Sequence, residues 1–185
     1  MSTLIPLAQV EPDMIEQLLD RAFGPDRFAR TAYRIREGMD WLEGLSFAAL
    51  DDDEMLVGTI QVWPVALTGP DRDGITRTHP LLMVGPVAVL PEHQGEGYGK
   101  ALMLAALAAI DGAGDHQTGL PQVLIGDFDY YGRHFGFSAA HTGGWRCPGP
   151  NDPARLLARC ANPAILPPEG MLGPWPLGKD EGLAN

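Results

Sequence analysis

The segment from 81 to 125 restricts the fold more than any other part of the chain. Leu81 to Leu90 carries no polar side chain, runs straight into the glycine-rich stretch Pro91 to Lys100, and is followed by a second apolar run, Ala101 to Ile110. A strand without polar alternation is buried on both faces, which requires helices on both sides of the sheet. The second run predicts a helix from about Gly97 to Asp111, and Gln122 to Ile125 reads as another strand. Strand, glycine loop, helix and strand make a βαβ unit, so its two strands should be parallel with a right-handed crossover.

Upstream, Glu11 to Phe23 places Met14, Ile15, Leu18, Leu19 and Ala22 at helical spacing and ends on Gly24-Pro25. A second helix, with a thinner apolar stripe, is predicted from Asp26 to about Gly38. Ser46 to Leu50 and Met55 to Leu67 read as a hairpin closed by Asp51-Asp-Asp-Glu54, and Gly69 to Thr78 as a polar, turn-rich connection. The composition shifts toward Pro and Gly from Pro148, with a short helical piece expected at Pro153 to Arg159 around Leu156 and Leu157. The expected organisation is therefore a domain over 1–147 and an extension over 148–185, packed on the domain or trailing from it. Pro167 to Asn185 is expected to wrap on the surface or remain partly disordered.

A chain of 185 residues, 45% of them apolar, supports one domain with a sizeable core. Thirteen Lys and Arg against twenty-four Asp and Glu give a net charge of −11, the wrong sign for phosphate counterion release, so no nucleic-acid partner is expected. An acidic surface attracts amine-bearing molecules, although the same charge also serves plain solubility. The N-terminus lacks a basic region followed by an apolar one, and Ala101 to Ile110 is too short to span a bilayer, so a cytoplasmic protein with no membrane partner is expected. Cys147 and Cys160 form no ligand pattern with histidine, which predicts reduced thiols and no metal.

The glycine loop can be compared with three phosphate-binding loops. A P-loop needs Gly five residues before Gly-Lys and a hydroxyl after it, where this chain has Gln94 and Ala101. A dinucleotide fingerprint needs GxGxxG, but the glycines are Gly95, Gly97 and Gly99. What remains is Gln-x-x-Gly-x-Gly, from Gln94 through Gly97 to Gly99, at the start of a helix. Unpaired N–H groups at a helix start point outward and carry the positive end of the dipole, which makes an anion cradle. Without side chains at the glycines a pyrophosphate can reach the main chain, while Gln94 adds a donor. A tight strand-to-helix turn would need only one of the three glycines.

Val87-Ala-Val-Leu-Pro-Glu-His-Gln-Gly-Glu-Gly-Tyr-Gly-Lys-Ala-Leu102 closely resembles the acetyl-CoA-binding motif of the GNAT superfamily of N-acetyltransferases. Val123 to Phe137, with its Tyr-Tyr-Gly-Arg-His-Phe-Gly-Phe, is similar to a segment of the YhbS-like bacterial branch, as is Val57 to Pro64. The resemblance spans roughly Pro6 to Trp145 and implies a mixed α/β fold with a splayed central sheet covered by helices on both faces. It implies acetyl-CoA as co-substrate, with Val87, Ala88 and Val89 pairing their backbone to the pantetheine arm. Gly95, Glu96, Gly97, Tyr98, Gly99 and Lys100, with Gln94, would then take the pyrophosphate. It also implies a tyrosine that protonates the departing thiolate, either Tyr130 or Tyr131, with Tyr131 preferred. His134 is an extra residue relative to the branch pattern and rotates the register by about 100° on a helix.

For the general base, Asp127 and Asp129 lie just past a strand end, where open α/β sheets place ligands. Both also suit helix N-capping, Asp129 best of all. His93, His116 and His141 read as surface residues, and Phe28, Tyr33, Trp41 and Trp63 as core aromatics or the lining of an acceptor cleft. The leading reading is transfer of acetyl from acetyl-CoA to a primary amine of a small molecule or protein, directly within a ternary complex. The resemblance leaves a homodimer open. The alternative is a non-catalytic acyl-CoA-binding or sensor module of the same fold.

Overall fold

The computed structural model describes residues 2–112 and 119–176, so His116 and the end of the C-terminal tail lie outside the described residues. The first helix, α1 (Pro12–Phe23), has Pro at its start, Asp13 in its first turn, Arg21 in its last and Gly24 at φ 90° as its cap. Each favours a helix at that place. Ile15, Leu18 and Leu19 form its buried stripe. At about 1.5–3 kcal/mol per buried side chain, that stripe outweighs the propensity of any single residue in the helix.

The predicted helix over Asp26–Gly38 is interrupted. A 3-10 turn at Arg27–Ala29 is followed by Arg30 in an extended conformation, and only then by α2 (Thr31–Ile35). Tertiary bonds override local propensity at this point. The Arg27 guanidinium bonds back to Asp20 at 2.9 Å and to Glu16, while the Thr31 hydroxyl donates to the carbonyl of Pro150.

The sheet runs β1 (Thr3–Pro6), β2 (Phe47–Leu50), β3 (Leu56–Pro70), β4 (Thr76–Val89), β5 (Gln122–Ile125) and β7 (Leu156–Arg159). Along this order the neighbours are antiparallel except β4 and β5, the parallel pair predicted for the βαβ unit. The predicted polar connection at Gly69–Thr78 narrows to the turn at 71–75, since β3 and β4 pair as far as Pro70 and Thr76. Beyond β2, the same edge of β3 carries β8 (Glu169–Pro174), which also pairs with β6 (Gly144–Arg146). The piece expected to be helical at Pro153–Arg159 is a 3-10 turn leading into β7. Leu156 and Leu157 are adjacent yet join different cores, which is the alternation of a strand covered on both faces.

α3 (Tyr98–Gly112) lies on one face through Leu102, Met103, Ala106 and Ile110, while α1 and α2 lie on the other. Strand parity confirms the layering, with Leu82 and Val84 facing α3 and Leu81 and Met83 facing away. α4 (Phe128–Phe135) follows β5 and ends at Gly136, which adopts the left-handed conformation.

The β3–β8 junction depends on two glycines in contact. A Cβ on Gly69 would stand 2.6 Å from the Gly170 Cα, and one on Gly170 would stand 2.9 Å from the Thr68 carbonyl oxygen. Because those neighbours are backbone, they cannot yield without separating the strands. Gly170→Ala should lower Tm by about 4–8 °C, from about 2 kcal/mol of overpacking in a chain of this size. Thermal denaturation against Gly173→Ala, where a Cβ meets nothing within 4 Å, checks this.

Candidate active site

The glycine loop is exposed and its amides are open. Gly95 to Gly97 stand fully at the surface, and the first helical bond runs from the Ala101 amide to the Gly97 carbonyl at 3.0 Å. The amides of Gly95 to Lys100 have no backbone acceptor among the described residues. Gly95 and Gly97 sit at φ 83° and 92°, which L side chains rarely adopt. Gly99 has neither a positive φ nor a close neighbour, so an alanine fits there and only a larger side chain is excluded. Its missing Cβ would lie 3.8 Å from Val89 and 3.9 Å from both Val87 and the Tyr130 hydroxyl, so a larger side chain would fill the channel between α3 and β4. The loop is thus a cradle of outward amides, free of side chains at its three glycines, of the kind a pyrophosphate fits.

From the loop, β4 leads to a break in the sheet. Among the described residues β4 and β5 pair at Leu82 with Gln122 and at Met83 with Val123, and beyond Met83 none of them forms a strand on the β5 side of β4. At that point β4 also bulges. Ile60 pairs with Val87 but Val62 with Val84, so Gly85 and Pro86 both stand opposite Gln61. The bulge exchanges the faces, so that Ala88 turns toward α1 and Val87 toward α3. The divergence opens a cavity of about 880 Å³, lined by Gly85, Pro86 and Val87 on one side and Ile125 and Gly126 on the other.

Tyr130 and Tyr131 both line this cavity, so the extra His134 leaves each of them at it. They occupy different depths. Tyr130 is 38% exposed and its hydroxyl stands on the glycine-loop side, near Gly99 and Val87. The Tyr131 ring lies over Gly126 at the end of β5, where a Cβ would be 2.4 Å from the ring. Burial is the main cause that pushes both phenols above the ordinary tyrosine value, with Tyr130 and Asp127 adding to the shift at Tyr131 and Arg155 opposing it. Each therefore holds its proton at neutral pH. Gly126→Ala should displace the Tyr131 ring, lowering kcat by at least about tenfold while CoA affinity changes little. Steady-state kinetics beside a CoA titration would show that split.

The two aspartates separate in the structure. Asp127 is the N-cap residue of α4, lines the cavity and lies 3.3 Å from Arg155. Asp129, expected to be the better cap, sits instead inside the first turn and pairs outward with Arg133 at 3.5 Å. His93 lies 3.1 Å from Glu96, and His141 is exposed. Both cysteines are free, and no group of three metal-ligating side chains occurs among the described residues. None of the described helices is long and apolar enough to cross a membrane.

A second cavity, about 520 Å³, adjoins the first, and Arg27, Tyr33 and Arg36 line both. All four aromatics proposed for an acceptor cleft, Phe28, Tyr33, Trp41 and Trp63, are on its wall. Arg36 and Gln61, which the sequence reading passed over, are there too. A polar residue inside the apolar strand Ile60-Gln-Val-Trp63 was the available signal for Gln61.

The sequence model described as the acetyltransferase (GNAT) family matches residues 13–137. Among solved structures, the chain is similar to a GNAT family N-acetyltransferase (YhbS) from Escherichia coli in complex with CoA. That match has 23% identity and a TM-score of 0.68, covering 94% of this chain and 89% of the other. It is also similar to a GNAT family acetyltransferase from Brucella melitensis in complex with acetyl-CoA, at 26% identity and a TM-score of 0.57, covering 92% and 93%. A probable N-acyltransferase from Enterococcus faecalis matches at 22% identity and a TM-score of 0.53, covering 76% of this chain and 33% of its own. No curated protein matches the chain in sequence.

Proposed function

The chain belongs to the acetyltransferase (GNAT) family, and from that premise we propose that it moves the acetyl group of acetyl-CoA onto a primary amine by direct transfer within a ternary complex. One observation carries the reading above all. An open cradle of amides at Gly95–Lys100 leads along a free strand edge to a cavity where two protonated tyrosines meet the bulge of β4.

In this reading the Gly95–Lys100 amides and Gln94 hold the pyrophosphate, and the edge of β4 at Val87, Ala88 and Val89 bonds the extended arm as an added strand would. The amine nitrogen attacks the thioester carbonyl carbon, the carbon–sulfur bond breaks, and the sulfur leaves as thiolate. Backbone N–H groups of β4 near Val87 stabilise the oxygen as it gains charge. Tyr131 donates its phenolic proton to the thiolate, since it lies at the β5 end of the cavity while Tyr130 stands nearer the loop. The proton lost by the amine goes to water at the cavity mouth or to Asp127, which lines it. No cysteine belongs to either motif, so an acyl-enzyme has no support here.

A ligand that binds the native state raises its melting temperature. CoA near a millimolar should therefore raise Tm, and ATP should raise it less. Free thiol should then appear from acetyl-CoA when an amine is added. CoA stabilisation with no thiol above hydrolysis for any amine would instead establish a binding module.

A further inference from the structure

Two arginines are buried where α1 and α2 cover the sheet, and their surroundings differ. Arg27, 2% exposed, bonds to Asp20 at 2.9 Å, to Glu16 and to the Tyr33 hydroxyl at 2.6 Å. Burial alone would lower its pKa, but those partners outweigh burial and hold the cation firmly. Arg36, 5% exposed, lies between the rings of Tyr33 and Trp63, 4.1 and 3.9 Å from their centres. Its Nη1 has no hydrogen-bond partner among the described residues. Burial lowers the Arg36 pKa to about 10, which still leaves it charged at neutral pH.

The neighbouring groups share this condition. Trp63 Nε1 and Gln61 Oε1 are also buried without a partner, and Arg36, Gln61 and Trp63 all line the 520 Å³ cavity. Buried polar atoms are almost always satisfied, and at Arg36 a hydrogen bond and attraction to Tyr33, with a smaller attraction to Glu16, offset only part of the cost of burying the charge. Two unpartnered donors, one of them cationic, and one unpartnered acceptor thus belong to residues that line the same cavity.

We propose that this second cavity receives the carboxylate of the acceptor, so that the acceptor is an amino acid whose amine reaches into the first cavity. The inference rests on the amine-acetylation reading above. The carboxylate accepts from the Arg36 guanidinium and the Trp63 indole N–H. Glu16 and Glu37 also line the cavity and the chain carries a charge of −11, which repels a dianion such as a phosphate but not a neutral zwitterion.

The test compares each common amino acid with its decarboxylated amine in acetyl-CoA thiol release. At least one amino acid should exceed its amine in kcat/KM by about 10- to 100-fold, the range expected for losing hydrogen bonds to a charged group. Arg36→Gln should raise KM for that amino acid by a similar factor, with kcat and CoA affinity little changed. Gln61→Glu should do the same while keeping Tm at or above wild type, because it supplies Arg36 with an internal carboxylate. The proposal is overturned if the amines match or exceed the amino acids throughout, or if Arg36→Gln lowers Tm while leaving KM unchanged. If no amine of either kind releases thiol, the transfer reading fails, and the pocket is judged by binding alone. In CoA-saturated protein, at least one amino acid should then raise the Tm of wild type and not of Arg36→Gln, and no such ligand would refute the pocket as well.

Discussion

Gly97→Asp is expected to weaken CoA binding by about 100-fold while leaving the protein folded. Two effects combine in the bound state. The new carboxylate stands among the open amides of the loop, where it competes for the cradle and repels the pyrophosphate. A side chain at φ 92° also strains the turn that presents those amides. The free protein suffers far less. A Cβ at Gly97 meets nothing within 4 Å, and an acidic residue near the start of α3 favours the helix, which offsets part of the strain. Tm should therefore fall by no more than about 4 °C. Titration calorimetry with CoA beside thermal denaturation separates the two effects, and equal CoA affinity in the variant would remove the loop from the site.

Tyr131→Phe is expected to lower kcat by about 100-fold or more, the usual contribution of a positioned proton donor. CoA affinity should stay within about twofold, because only a hydroxyl is lost. Tyr130→Phe should cost less, since that hydroxyl stands on the loop side of the cavity. The sign of the pH dependence follows from the raised Tyr131 pKa, caused first by burial and then by Tyr130 and Asp127. A general acid acts while protonated, so activity is lost as pH rises through its pKa. That loss should therefore lie further to the alkaline side than for an ordinary phenol. Because burial raises the Tyr130 phenol as well, an alkaline decline in kcat that disappears in Tyr130→Phe and persists in Tyr131→Phe would move the role to Tyr130.

Much of this arrangement was legible because it follows from local rules. The glycine loop, α1, α3 and the parallel β4–β5 pair come from periodicity and turn chemistry confined to a few residues each. The bulge escapes the sequence reading, which makes Leu81 to Leu90 one continuous strand, although Gly85-Pro86 inside an apolar run is the available signal for a break. Other elements depend on contacts distant in sequence. Arg30 is extended because Arg27 is held by α1 and Thr31 by Pro150, neither visible from the stretch itself. β7 resembles a helix in isolation, because adjacent leucines look like a helical stripe until both faces of the sheet are known to be covered. β8 needs Gly69 and Gly170 to meet across a hundred residues of chain. Likewise, the Arg36, Gln61 and Trp63 cluster exists only once α2 closes over β3.

Acetylated amine and free CoA, measured by mass spectrometry in one reaction of wild-type protein with acetyl-CoA and an amine that supports thiol release, test the central claim most directly. Direct transfer predicts that the two accumulate one to one, with the acetyl group on the amine nitrogen and none on the protein. Thiol released without acetylated amine, or acetyl retained on a protein side chain as an intermediate, would contradict it.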